Sequence, residues 1–169
     1  MVKPTEVKNK AQQIAEQNYK FRAFLKSCTH DDKLDAQFLE LHEGLFADYD
    51  CCKCNNCCKS YNIILDSGEV KRLSEFIGLA EGVFAAEYLI DADPEDEKPF
   101  KFKANPCAFL NDDGRCLIQN CKPEVCTGFP YTDQPHRLSR MYSVIEHAEV
   151  CPVVYEILER LKVMYRFRK

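Results

Sequence analysis

The segment that most constrains this chain is Cys51-x2-Cys54-x2-Cys57-Cys58, four thiols within eight residues. Side-chain packing gives no reason for such a run, whereas metal ligation does. In a Cys-x2-Cys unit a tight turn brings two sulfurs to one ion while backbone amides stabilise the thiolates. Asn55 and Asn56 suit that turn, because Asn is the residue besides Gly that most readily accepts positive φ. Cys57 and Cys58 are neighbours in sequence and are expected to direct their side chains apart, toward two metal positions. That arrangement calls for more thiols elsewhere.

Cys107, Cys116, Cys126 and Cys151 can supply them. Together the eight cysteines are enough for two four-cysteine sites or for one cluster with a satellite metal. Cys151 precedes Pro152, a good first helical residue, and Pro123-Glu124 starts a short helix with Cys126 in its first turn. Helix N-termini lower thiol pKa and so favour the thiolate that metals bind. Lys53, Lys59, Arg115 and Lys122 lie next to these cysteines and can offset the negative charge of a thiolate-rich site.

Disulfides are the competing explanation. At 169 residues the chain can bury a hydrophobic core without covalent staples. From Met1 to Lys26 it is rich in Lys, Gln and Glu and contains no apolar run that could act as a signal peptide or membrane span, so a cytoplasmic location is expected. Structural disulfides do not persist in that compartment, and eleven cysteines would leave one unpaired. A net charge of −4 gives no general attraction to nucleic acid or to an anionic membrane. The basic run Arg160, Lys162, Arg166, Arg168 and Lys169 reads as cations complementing a helix C-terminus.

Periodicity then sketches the fold. Val7, Ala11, Ile14, Asn18, Phe21 and Leu25 mark a first helical stripe, and Leu34, Phe38, Leu41 and Leu45 mark a second, with Asp31 or Asp32 as its cap and His42 off the stripe. Tyr61 to Leu65 reads as a strand. Asp66 and Glu69 form a capping box for a helix that buries Val70, Leu73 and Ile77 and ends at Gly78. Glu81 to Ile90 is another helix, and Asp91 to Lys98 a solvated loop. Phe100 to Lys103 alternates apolar and basic residues. Asp113-Gly114 predicts a two-residue hairpin turn between Cys107–Leu110 and Cys116–Ile118. In a regular hairpin Cys116 faces Asn111 and Cys107 lies about 13 Å further along, too far to share an ion. Either the hairpin is irregular near Pro106 or these two cysteines serve different metals. A last helix carries Val154, Ile157, Leu158, Leu161 and Tyr165. The expected class is α+β, a mainly helical single domain with a small antiparallel hairpin and a cysteine-ligated metal centre. Residues 1–48 form an N-terminal helical segment packing on the same domain, 49–152 the metal-binding core and 153–169 the C-terminal helix.

These elements resemble the YkgJ-like proteins, a zinc- or iron-chelating family with a CxxCxxCC run. The resemblance rests on that run, on Pro106 to Leu110 (Pro-Cys-x-Phe-Leu), on Gly114 to Ile118 (Gly-Arg-Cys-x-Ile), on Pro123 to Pro130 (Pro-x-x-Cys-x-x-Phe-Pro), and on Cys151-Pro152. It implies that Cys51, Cys54, Cys57, Cys58, Cys107, Cys116, Cys126 and Cys151 hold the metal. This chain departs from the pattern in having Asn55 or Asn56 where Gly is common, Lys122 where Arg is common, and extra cysteines at 28, 52 and 121. Cys52 and Cys121 could be alternative ligands or resolving thiols, and Cys28 reads as a small buried apolar residue.

All-cysteine ligation suits zinc or an iron–sulfur cluster and excludes oxygen-seeking ions. Three cysteines at x2 intervals match the run that wraps three corners of a cubane and tip the reading toward iron–sulfur. The expected role is structural or electron-transferring, with a protein redox or scaffold partner. The family's likeness to flagellin lysine methylases raises an iron–sulfur enzyme of protein lysine methylation as an alternative, but Cys54 and Cys58 meet Tyr61 where a radical enzyme's third cysteine would stand. A zinc module binding nucleic acid or protein is a further alternative that the net charge argues against for nucleic acid. His136 and Arg137 sit in a polar loop, and His136 or His147 could join the ligands, since zinc sites mix the two residue types.

Overall fold

The computed structural model describes residues 1–168; Lys169 of the basic run lies outside the described residues. In chain order the elements are α1 (Val7–Gln13), α2 (Ala15–Cys28), α3 (Asp31–Phe46), α4 (Cys51–Cys54), α5 (Asn56–Ser60), β1 (Ile64–Leu65), α6 (Ser67–Ile77) and α7 (Glu81–Tyr88). They continue through β2 (Leu89–Asp91), β3 (Phe100–Phe102), a 3₁₀ turn (Gln119–Cys121), α8 (Glu124–Gly128), α9 (Met141–His147) and α10 (Pro152–Met164). The fold is mainly helical α+β. The chain resolves into two compact units, one formed by Cys51–Phe129 and the other by Met1–Asp50 with the chain from Pro130 onward. No helix among the described residues is long and apolar enough to cross a membrane.

The second of these units is helical. The expected first stripe buries Val7, Ala11, Asn18, Phe21 and Leu25, but the helix breaks at Ile14, which leaves helical geometry at φ −112° and ψ 13°. Phe38 and Leu34 of α3 are fully buried, and α10 packs on α3 and α9. Each such Leu, Ile or Phe contributes about 1.5–3 kcal/mol by leaving water. The expected Asp cap of α3 is not made: His30 is the N-cap residue. Asp31 accepts instead from the Leu138 amide at 3.1 Å, and Asp35 accepts from the amides of His136 and Arg137. Those amides have no backbone acceptor among the described residues, so the first-turn carboxylates are drawn to them. His42 bonds Thr132 Oγ1 through Nδ1 at 2.8 Å. Of the basic run, Lys162 alone falls in the last turn of α10, where it is buried and pairs with Glu159 at 2.6 Å.

In the Cys51–Phe129 unit the sheet order is β1-β3-β2, all antiparallel. Leu65 pairs with Phe100 and Leu89 with Phe102, which places these side chains on one face, while Lys101 on the other reaches Asp93 at 2.7 Å. The strand expected from Tyr61 is thus shorter, and the true hairpin is β2–β3, closed by the acidic loop. Leu65, Leu73, Phe84, Phe102, Phe109 and Ile118 form the core. The capping box of α6 is present in both directions. Gly78 ends the helix at φ 80°, with Leu79 N–H reaching Ser74 O at 2.9 Å, the 6→1 bond of a Schellman end.

The Cys107–Ile118 segment corrects the hairpin expectation. Leu110, not Asn111, pairs with Cys116, and this single bridge is the only ladder between the two arms among the described residues. Gly114 N–H donates to Asn111 O and Asn111 N–H to Arg115 O, both at 2.9 Å, with Gly114 at φ 84°. The loop is therefore a turn over Asn111–Gly114 followed by a left-handed Gly, one residue longer than the two-residue form. The Asp112 and Arg115 amides donate to the side chains of Asn111 and Asp113 and hold it.

Candidate metal centre

The first cysteine run folds as two short helical turns, α4 and α5, separated by Asn55 in the left-handed region at φ 56°. Asn55 Nδ2 also donates to Cys52 O at 2.7 Å, so this Asn both makes the knuckle and ties it down. Gly114 lies against the same carbonyl: a Cβ there would collide with Cys52 O and stand 2.8 Å from Asn55 Nδ2. Only glycine allows that close approach of the Asp113-Gly114 loop to the cysteine run.

Further along, Cys107 N–H donates to Cys58 O at 2.9 Å, putting these two cysteines side by side. A turn closed by Leu110 N–H to Cys107 O at 3.0 Å bends the chain away from the ladder. The irregular alternative for this segment is therefore the one adopted by the backbone. The charge on Cys58 or Cys116 raises the Cys107 thiol, and the charges on Cys107, Cys58 and Cys116 raise that of Cys126. Cys58, Cys107, Cys116 and Cys126 therefore form one group of interacting thiols.

Burial is the first cause of the high pKa of Cys107 and Cys116, and it pushes Cys126 up to about 12. The first turn of the five-residue α8 does not lower the Cys126 pKa as expected from its place, because desolvation outweighs so short a helix. Cys57 and Cys58 bring their sulfurs to 3.9 Å and do not point apart. Donation from Cys57, opposed by burial and aided by Lys122 and Lys59, lowers Cys58 to about 6, while the same contact and burial raise Cys57. Lys122 also acts on Cys116 and Cys126, the compensating role expected of it. Arg115 turns to Asp113 instead, at 3.8 Å.

The remaining cysteines sort by position. Cys51 is exposed and Cys54 half-buried on α4. Cys151 belongs to the helical unit, where it is buried as the N-cap residue ahead of Pro152. Cys121 packs in the core and its thiol donates to Arg72 O at 3.6 Å. Cys28 is exposed at the end of α2, not buried, because the stripe runs out with the helix. His147 is half-buried, and desolvation lowers its pKa against a bond to Pro130.

Among the described residues, no three His, Cys, Asp or Glu side chains already stand within reach of a single ion. The donor set nevertheless fits a thiophilic metal, since a rotamer change moves a cysteine sulfur by about 3 Å at small cost and the Lys122 charge acts on Cys58, Cys116 and Cys126. Zinc or an iron–sulfur centre would be held by these sulfurs and would supply strong cross-linking of loops or a one-electron couple.

Sequence reasoning missed Glu69 beyond its cap. It is 4 % exposed, and its carboxylate also accepts from Lys98 at 2.8 Å and from Glu124 N–H at 2.9 Å. The signal was a Lys at the end of an otherwise acidic loop.

A family model described as "CxxCxxCC: Putative zinc- or iron-chelating domain" matches residues 50–152. The chain belongs to this family. No curated protein and no solved structure matches it.

Proposed function

We propose that this chain holds zinc or an iron–sulfur cluster through cysteine thiolates, with Cys58, Cys107, Cys116 and Cys126 as the central ligands and Cys51, Cys54, Cys57 and Cys151 completing the set. The metal serves a structural or electron-transfer role. The observation that carries this reading is the Cys107 N–H to Cys58 O bond at 2.9 Å, which sets cysteines from two separate pieces of chain side by side, with Cys57 Sγ 3.9 Å from Cys58 Sγ. A half-buried group of thiols with a lysine beside it suits a soft cation, and ligation would supply the bonding that makes the otherwise disfavoured thiolates stable there.

The sulfur geometry favours single ions as occupant. Two sulfurs on one tetrahedral zinc stand about 3.8 Å apart for a bond of about 2.3 Å, close to the 3.9 Å between Cys57 and Cys58. A cubane takes one cysteine on each iron and spreads its ligands further. The second reading, a cluster, is favoured by the Cys51-x2-Cys54-x2-Cys57 spacing.

Elemental analysis and a visible spectrum of protein purified without oxygen test the proposal. Zinc without colour supports the single-ion form, and iron with equal sulfide and blue-region absorbance supports the cluster. Protein that is folded yet free of both metals, and takes up neither on reconstitution, overturns the reading.

A further inference from the structure

The helical unit holds a cavity of about 310 Å³ that metal binding leaves unused, lined by Tyr131, Gln134, Arg137, Arg140, Ser143 and His147 among others. Arg137 is 2 % exposed. Its Nη atoms donate to the carbonyls of Tyr131 and Pro135, and its Nε has no partner among the described residues. A buried guanidinium is costly unless an anion meets it, and among the described residues no carboxylate forms an ion pair with Arg137 or Arg140. Asp35 and Asp31 act on it from a distance, with carboxylates engaged by backbone amides, and Asp133 is exposed. Arg140, bonded to Gln134 Oε1 at 3.2 Å, adds a second positive charge to the same cavity. The loop that frames it holds two non-glycine residues in the left-handed region, Tyr131 at φ 60° and His136 at φ 64°. Such conformations persist where surrounding structure enforces them. The rings of Tyr131 and His147 stand 6.0 Å apart and give the cavity an aromatic side.

We propose that this cavity binds a small ligand through an oxyanion, carboxylate or phosphate, with Arg137 and Arg140 meeting the charge and the aromatic side receiving the ligand's body. The proposal is independent of which metal the cysteines hold.

Calorimetric titration of the full chain with inorganic phosphate and, separately, succinate tests it. Saturable binding of at least one anion is expected, and which one binds separates a phosphate source from a carboxylate source. Arg140→Gln, at an exposed position, should weaken that binding at least tenfold with an unchanged ligand-free melting temperature. Arg137→Lys should weaken it as well. No saturable binding of either anion overturns the proposal, as does unchanged affinity in Arg140→Gln.

Discussion

Oε1 of Glu69 accepts the amide hydrogen of Glu124 at 2.9 Å, so the carboxylate that closes the cap of α6 also fixes the first residue of the helix carrying Cys126. The other oxygen takes Lys98 and the Asp66 amide. Glu69→Ala would leave two amides without their acceptor and Lys98 with Asp66 alone, at 3.5 Å. We expect it to lower the free energy of unfolding by about 2–4 kcal/mol, read from urea denaturation. Glu69→Gln, which keeps an acceptor oxygen, should cost less.

The same cluster gives the fold an acid limit. Burial pushes the Glu69 carboxyl up, but the Lys98 ammonium and the amides of Glu124 and Asp66 outweigh it, and the carboxyl lies below its usual range. Asp66 is also lowered, first by the Glu69 amide. Groups with depressed folded pKa stabilise fully above their unfolded values, about 4–4.5, and lose that contribution as pH falls through the folded ones. Urea midpoints between pH 7 and pH 3 should therefore fall below about pH 4.5, and fall less in Glu69→Gln.

Glycine substitutions should separate by position. Gly114→Ala places a Cβ against Cys52 O at a positive φ, and is expected to destabilise by about 1–3 kcal/mol and to disturb metal content. Gly44→Ala meets nothing within 4 Å inside α3 and should stabilise by about 0.5–1 kcal/mol. Thermal melts of the two variants check both.

The capping box at Asp66 and Glu69, the helix stop at Gly78 and the left-handed Asn55 were legible in the sequence because each depends on side chains within a few residues of the backbone they serve. The buried faces of α2, α3 and α10 were legible from their spacing. The break at Ile14, the longer Asn111–Gly114 loop and the β2–β3 pairing were not. Each was settled by contacts distant in sequence, against which local preference is a weak guide. In the candidate site the cysteines announced themselves. Which four would interact did not, since it depends on the Cys107 amide meeting Cys58 O. Cys28 is exposed where burial was expected, and Cys121 lies in the core, because a thiol is small enough for either place.

Metal content in cysteine variants tests the central claim most directly. With protein purified without oxygen, serine replacement of Cys58, Cys107, Cys116 or Cys126 should sharply lower bound zinc or iron per chain, and Cys54→Ser or Cys57→Ser should lower it too. Cys28→Ser should leave it unchanged, and Cys121→Ser should lower stability while metal content holds. Equal metal content in the four central variants and in Cys28→Ser would contradict the account.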